Sequence, residues 1–217
     1  MCSISNEIPQ RPDSKVIRIA ILSDTHGQLD PRIAALVLGC DLAVHGGDIG
    51  DAGILARLQP RSGEVHAVRG NNDVPSKWPE AEHAVLSRLP EQVVLTLPGG
   101  RLVLIHGHQV AASGRHERLR QQFPGARAII YGHSHRLVAD QEELPWVLNP
   151  GAAGRVRTYG GPSCMILTAG DRRWELATHR FQLAGSTVRL ASPGQRRQRS
   201  GRAGGSRLAT IGLPSIG

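Results

Sequence analysis

Cysteine is scarce in this sequence, and its three residues, Cys2, Cys40 and Cys164, are scattered over 217 positions. That excludes a disulfide framework and a thiolate zinc site and leads us to expect reduced thiols in a cytoplasmic protein. No apolar run approaches the roughly 18 residues of a membrane helix, so no membrane span is expected. The first fifteen residues carry Glu7, Pro9, Pro12 and Asp13 and lack the apolar stretch of a secretory signal. Internal repeats of fixed period are absent too, which excludes a solenoid. What remains is ordinary globular usage, 40% hydrophobic and 20% charged, at a length suited to one compact domain.

Acidic residues run out before the chain does. Residues 1–185 hold 20 basic and 18 acidic side chains, whereas 186–217 hold six arginines (189, 196, 197, 199, 202 and 207) and no acid. Most of the formal charge of +8 therefore sits in the last 32 residues, where Gly, Ser, Pro and Arg fill 19 positions and no aromatic occurs. With so little to bury against the entropy of ordering, this segment reads as a disordered tail. Six arginines without aromatic interleaving provide either a salt-sensitive attraction for nucleic acid or a merely solvated appendage. We therefore divide the chain into an N-terminal extension (1–15), a domain (16–185) and the tail (186–217).

Within the domain, short apolar runs recur and each closes on a cluster of Gly and polar residues. Residues 16–22 end in Ser23-Asp24-Thr25-His26-Gly27, and 41–44 end in His45-Gly46-Gly47-Asp48. The run 64–68 ends in Arg69-Gly70-Asn71-Asn72-Asp73, 102–105 in His106-Gly107-His108, and 128–131 in Gly132-His133-Ser134-His135. Continuous β-branched and aliphatic runs of this length predict buried strands. Helical spacing lies between them, at Ile33, Leu36 and Val37 after Asp30-Pro31, at Ile54, Leu55 and Leu58 after Asp51, and over 113–123. Alternation of strand and helix implies an α/β fold with parallel pairing. After Val138 the runs 146–148, 164–168 and 174–178 follow one another with turns between, implying a more antiparallel layer. The irregular segment 74–89, with Pro75, Trp78, Pro79 and His83, is either a surface connection or a short helix leaning over the site.

In an open α/β sheet the carboxyl ends of parallel strands share one edge, so the five clusters should converge there. Together they supply Asp24, His26, Asp48, Asn71, His106, His133 and His135. Any one of these histidines taken singly reads as a surface or satisfied core residue; five strand ends carrying such residues at once do not. The inventory is too rich for one catalytic metal and fits two. Two ions need a shared anionic ligand, and Asp48 on the GGD turn is placed for it; they then clamp an anionic substrate and generate hydroxide near neutral pH. The pairs Asp24/His26 and His133/His135 can each point one way from an extended backbone. With only two carboxylates such a site stays positive and favours phosphate-ester hydrolysis. His45, His66, His83, His116 and His179 lack this support and read as structural, with His45 near enough to Asp48 to brace it.

The ordered set DTHG (24–27), GGD (46–48), GNND (70–73), HG (106–107) and GHSH (132–135) resembles the calcineurin-like metallophosphoesterases. NPGAAG (149–154) followed by Arg157 is similar to their small prokaryotic phosphodiesterase branch. The resemblance spans about residues 16–180. It implies a metallo-dependent phosphatase-like fold, a four-layer α-β-β-α sandwich of two mixed sheets. It also implies one ion on Asp24, His26, Asp48 and His135 and another on Asp48, Asn71, His106 and His133. Manganese is the expected metal, with Fe, Ni, Co or Zn as alternatives. The implied reaction is phosphodiester hydrolysis by metal-bridging hydroxide. The sequence departs from the family where many members have a proton-donating His after the metal-binding Asn: here that residue is Asn72, whose amide has no proton to give. His108 is a candidate substitute, and Asp73 would orient Asn72 or its loop. Arg69, beside a ligand loop, is a candidate contact for substrate phosphate. Ala152 replaces a common Ser. The alternative function is a binding scaffold similar to the retromer relative of the family, in which ligand positions are altered. Natural substrate and oligomeric state are left open by the sequence.

Overall fold

The run predicted at 16–22 forms β1 (Ile17–Leu22), and the two-residue period of its side chains explains the layering of the whole domain. Ile19 and Ile21 face one apolar cluster while Ala20 and Leu22 face another. A computed structural model describes residues 16–182; the extension 1–15 and the tail 186–217 lie outside the described residues. After β1 come α1 (Pro31–Val37), β2 (Leu42–His45), α2 (Ala52–Ala56) and β3 (Val65–Ala67). Two 3-10 turns, Pro75–Lys77 and Glu80–Glu82, lead into α3 (His83–Leu86). There follow β4 (Gln92–Leu97), β5 (Gly100–Ile105), α4 (Arg115–Gln122), β6 (Ala128–Ile130), β7 (Leu137–Asp140), β8 (Trp146–Pro150), β9 (Ser163–Ala169) and β10 (Trp174–Arg180).

These strands form two mixed five-stranded sheets, ordered β10-β9-β1-β2-β3 and β4-β5-β6-β8-β7. In the first, β1, β2 and β3 run parallel while β9 and β10 are antiparallel. In the second, β5, β6 and β8 run parallel between antiparallel edges β4 and β7. The antiparallel layer expected after Val138 is thus divided between the two sheets. Ile19, Ile21, Val44, Leu102, Leu104, Ile130, Leu148 and Met165 fill the space between sheets. Ala20, Leu22, Ile33, Val37 and Ile54 bury the first sheet under α1 and α2, and Val103, Ile105, Ile129 and Leu119 bury the second under α4. Each fully buried aliphatic side chain contributes roughly 1.5–3 kcal/mol, so all three layers add to cohesion.

Asp30 and Asp51 cap α1 and α2, accepting from the amides of Arg32 and Ile54 at 2.9 Å each, as their places before the periodic apolar residues predict. Strands β4 and β7 are not predicted by any apolar run. Both are edge strands with half-exposed residues, so neither shows the continuous apolar run that marks the interior strands. Cys40 and Cys164 are buried and unpaired. No helix among the described residues is long and apolar enough to cross a membrane.

Candidate metal centre

Five loops leave the carboxyl ends of parallel strands β1, β2 and β3 in one sheet and β5 and β6 in the other, and their backbones lock together. Asp24 N–H donates to Gly47 O at 3.0 Å, His26 N–H to Asp48 O at 2.9 Å, and Gly132 N–H to His106 O at 2.9 Å. The two sheets are joined at the same place, because His133 N–H donates to Asp24 Oδ1 at 3.2 Å and His106 Nδ1–H to Gly46 O at 2.7 Å. A Cβ on Gly70 would lie 2.2 Å from the amide nitrogen and Oδ1 of Asp48, so only glycine permits this approach.

The backbone at the predicted donors is left-handed, not extended. Asp24, His26, Asp48, His133 and His135 have φ between 47° and 64°, and Arg157 has φ 52°; among the described residues these six are the only non-glycine residues with positive φ. The expectation of extended i, i+2 pairs is therefore corrected. Each donor sits on a tight turn that costs backbone strain of order 1–3 kcal/mol and aims its side chain inward.

All seven predicted donors are brought together. One atom from each of Asp24, His26, Asp48 and His135 lies within 4.8 Å of the others, a spacing that can hold a metal ion. His135 Nε2 is 3.2 Å from His26 Nε2 and 3.3 Å from Asp24 Oδ1. Across Asp48, His106 Nε2 lies 3.5 Å from Asp48 Oδ1 and 3.1 Å from Asn71 Oδ1, which is 2.9 Å from His133 Nδ1. Asp48 belongs to both groups.

The donor chemistry fits a cation. Because Nδ1–H of His106 donates to a carbonyl, and Nδ1–H of His135 donates to Val156 O at 3.2 Å, both Nε2 atoms turn lone pairs toward other acceptors. Asp24 Oδ2 is buried with no hydrogen-bond partner. Such a gathering of acceptors is stable only around positive charge. Burial pushes the Asp24 carboxyl up to about 7. Burial pushes Asp48 the same way but is outweighed by the adjacent His106 imidazole and by hydrogen bonds from Asn72, which hold its carboxyl below the ordinary range. Burial and then Arg157 push His135 down to about 4, and burial lowers His26 and His133, so these rings are held neutral and ready to ligate. His106 is raised, since the attraction of Asp48 and Asp24 exceeds the effect of its burial.

A profile of the calcineurin-like phosphoesterase superfamily domain matches residues 17–172. The chain belongs to this superfamily. Solved structures with the same fold include Vacuolar Protein Sorting 29 of Cryptosporidium parvum, 19% identical over 77% of this chain and 99% of that one, with a TM-score of 0.58. A predicted phosphoesterase of Streptococcus pneumoniae is 21% identical over 76% of this chain and 90% of its own, with a TM-score of 0.54. An archaeal phosphodiesterase is 20% identical over 75% of this chain and 100% of its own, with a TM-score of 0.55.

Around this centre the remaining candidates take distinct places. Asp73 does not orient the Asn72 side chain. Its Oδ1 accepts from Ile49 N–H at 2.9 Å, Gly50 N–H at 3.2 Å and Trp78 Nε1–H at 3.0 Å, and its Oδ2 from Gly70 N–H at 2.8 Å, so it clamps two ligand loops. Asn72 donates to both Asp48 oxygens, from its backbone at 2.8 Å and its amide at 2.7 Å, and accepts from Lys77 Nζ. His108 is exposed, with its ring 5.4 Å from His106 and 6.2 Å from His133. Arg69 is ion-paired with Glu91, and Gln109 donates to the same carboxylate, so its guanidinium is committed at the rim and is not aimed at the donors. Arg157 is aimed there instead, its guanidinium nitrogen 3.3 Å from His135 Nε2. Segment 74–89 is no mere surface connection: Trp78 and Leu86 are buried, and His83 reaches the Pro75 carbonyl at 3.0 Å.

His45 braces the centre as its place beside the GGD turn predicts, whereas Asn149 escapes sequence reasoning. His45 is fully buried, accepts from Gly47 N–H at 3.2 Å and donates to Thr25 Oγ1 at 2.9 Å, so it stitches the DTHG loop to the GGD turn; burial keeps it neutral, down at about 4. Asn149 donates to Gly132 O at 2.8 Å and Ser134 Oγ at 3.0 Å and thereby props the GHSH loop. The Asn of NPGAAG was visible as a motif, but its partner loop was not.

Proposed function

We propose that this chain is a two-metal phosphodiesterase, with manganese as the working metal. The observation that carries the reading is the meeting of seven oxygen and imidazole donors in two groups sharing Asp48, five of them on left-handed turns. Divalent cations bound by these residues would neutralise charge on a phosphoryl group and lower the pKa of water to near neutral. The chain's own residues do the rest. Asp24 and Asp48 provide the only carboxylates among the donors, and the neutral histidines add no negative charge, so the centre favours an anionic substrate. Arg157, held at the rim by its left-handed turn, presents planar N–H donors suited to a phosphoryl oxygen. The intact donor set supports an enzyme over a binding scaffold, and the unpaired buried thiols support a reducing, cytoplasmic setting.

Metal-stripped protein should be inert on an aryl phosphodiester and regain turnover with Mn. Asp48→Asn or His106→Ala should lower kcat at least about 100-fold, in line with loss of a ligand or its support. Unchanged turnover in either variant would overturn the reading.

A further inference from the structure

Of 26 basic residues in the sequence only two are lysines, Lys15 and Lys77. Lys77 is the one among the described residues, and from its exposed position it reaches the rim of the centre: its Nζ donates to Asn72 Oδ1, while the Asn72 amide and backbone donate to the two oxygens of Asp48. Asn72 is thereby fixed in orientation, because a flipped amide would set NH2 against an ammonium and oxygen against a carboxylate. The backbone of Lys77 is equally constrained. It closes a 3-10 turn whose next residue, Trp78, is buried and donates to Asp73, and His83 contacts both Pro75 O and Trp78 O. An ammonium group is thus held beside Asn72, which stands where the family's proton-donating imidazole is missing.

Resting on the phosphodiesterase reading, we infer that Lys77 is the proton donor to the leaving oxygen, carried there by Asn72. As the oxygen of water bonds to phosphorus and the bond from phosphorus to the leaving oxygen breaks, that oxygen takes the electron pair and then a proton from Nζ. The products are a phosphate monoester, an alcohol and a neutral amine, and the amine is reprotonated from the solvent that takes up the proton lost by the attacking water. Lysine suits this step where arginine does not: an ammonium is protonated in the neutral range yet can release its proton to an alkoxide, whereas a guanidinium does not release one. The substrate class follows, since such a donor extends hydrolysis from activated aryl esters to phosphodiesters with poor leaving groups.

The test uses the full chain loaded with Mn, with Lys77→Gln and Lys77→Arg, on aryl phosphodiesters from p-nitrophenyl to unsubstituted phenyl. We expect Lys77→Gln to slow the phenyl ester about 100-fold and the p-nitrophenyl ester less than about 3-fold, the range of general-acid effects. Lys77→Arg should hold KM near the wild-type value and slow the poor esters as Lys77→Gln does. Equal slowing across the series, or full rescue by arginine, overturns the proton-donor role and leaves the phosphodiesterase reading standing. Wild-type protein inert on the p-nitrophenyl ester sinks both. A second readout needs no turnover: after reductive methylation with 13C-formaldehyde, the dimethyl-Lys77 NMR signal, identified by its absence from Lys77→Gln, should broaden as paramagnetic Mn binds. A signal left sharp while Mn binds would remove Lys77 from the centre.

Discussion

Asp24 carries the least comfortable charge in the domain. Its side chain is fully buried, Oδ2 lacks a hydrogen-bond partner, and burial holds the carboxyl up at about 7 against 3.8 for an ordinary aspartate. In metal-free protein a raised carboxyl favours the fold below pH 3.8, and that advantage is lost as pH rises through about 7. Above that, ionised Asp24 costs up to about 4 kcal/mol relative to the unfolded chain. Metal-free Asp24→Asn should therefore resist urea better than wild type at pH 8, by about 2–4 kcal/mol, with the gain shrinking toward pH 5. Mn should raise the Tm of wild type and leave that of the variant nearly unmoved. A variant destabilised at both pH values would show that Asp24 is bound by something other than a cation's need. Residue types at these positions were legible in the sequence because donor chemistry is local. The aim of long side chains was not: Arg69 and Arg157 both adjoin suitable loops, and only the neighbouring Glu91 and the left-handed turn at 157 decide that the second faces the donors.

At the scale of elements the loops matter more than the strands they follow. Asp73 binds the GGD loop, the GNND loop and Trp78 through four donors, and Asp48 and Asn71 ride on those two loops. Asp73→Asn places an NH2 where only donors point. It should cost about 3 kcal/mol in urea unfolding, as for one partner removed from a buried charged network, and weaken Mn binding about 10-fold or more. Loss of stability with metal affinity intact would mean that the loops hold their shape without the clamp. The interior strands were readable from continuous apolar runs, and α1 and α2 from their aspartate caps. Edge strands β4 and β7 were not, because a half-exposed strand has no such run. The left-handed turns were equally hidden, since Asp and His, though enriched at positive φ, signal it far more weakly than glycine does.

For the molecule as a whole, the charge of +8 is misleading as a guide to the centre, because residues 1–185 are close to balanced and the excess belongs to 186–217. Deleting 186–217 should leave turnover of a small aryl diester within about 2-fold of wild type and abolish any salt-sensitive affinity for single-stranded DNA, measured by fluorescence anisotropy at low and high salt. Retained affinity would place nucleic-acid binding on the domain. The sequence by itself determined the α/β class, the five strand ends and the seven donors carried on them, because strand runs, turn residues and ligand types are written within a few positions of one another. Tertiary structure alone decided that loops from two separate sheets share Asp48, that glycine is required where Gly70 meets it, and that Lys77 and Arg157 reach the same centre. Packing between the two sheets brings His106 to Asp48, and loop geometry that local spacing does not reveal places Gly70, Lys77 and Arg157.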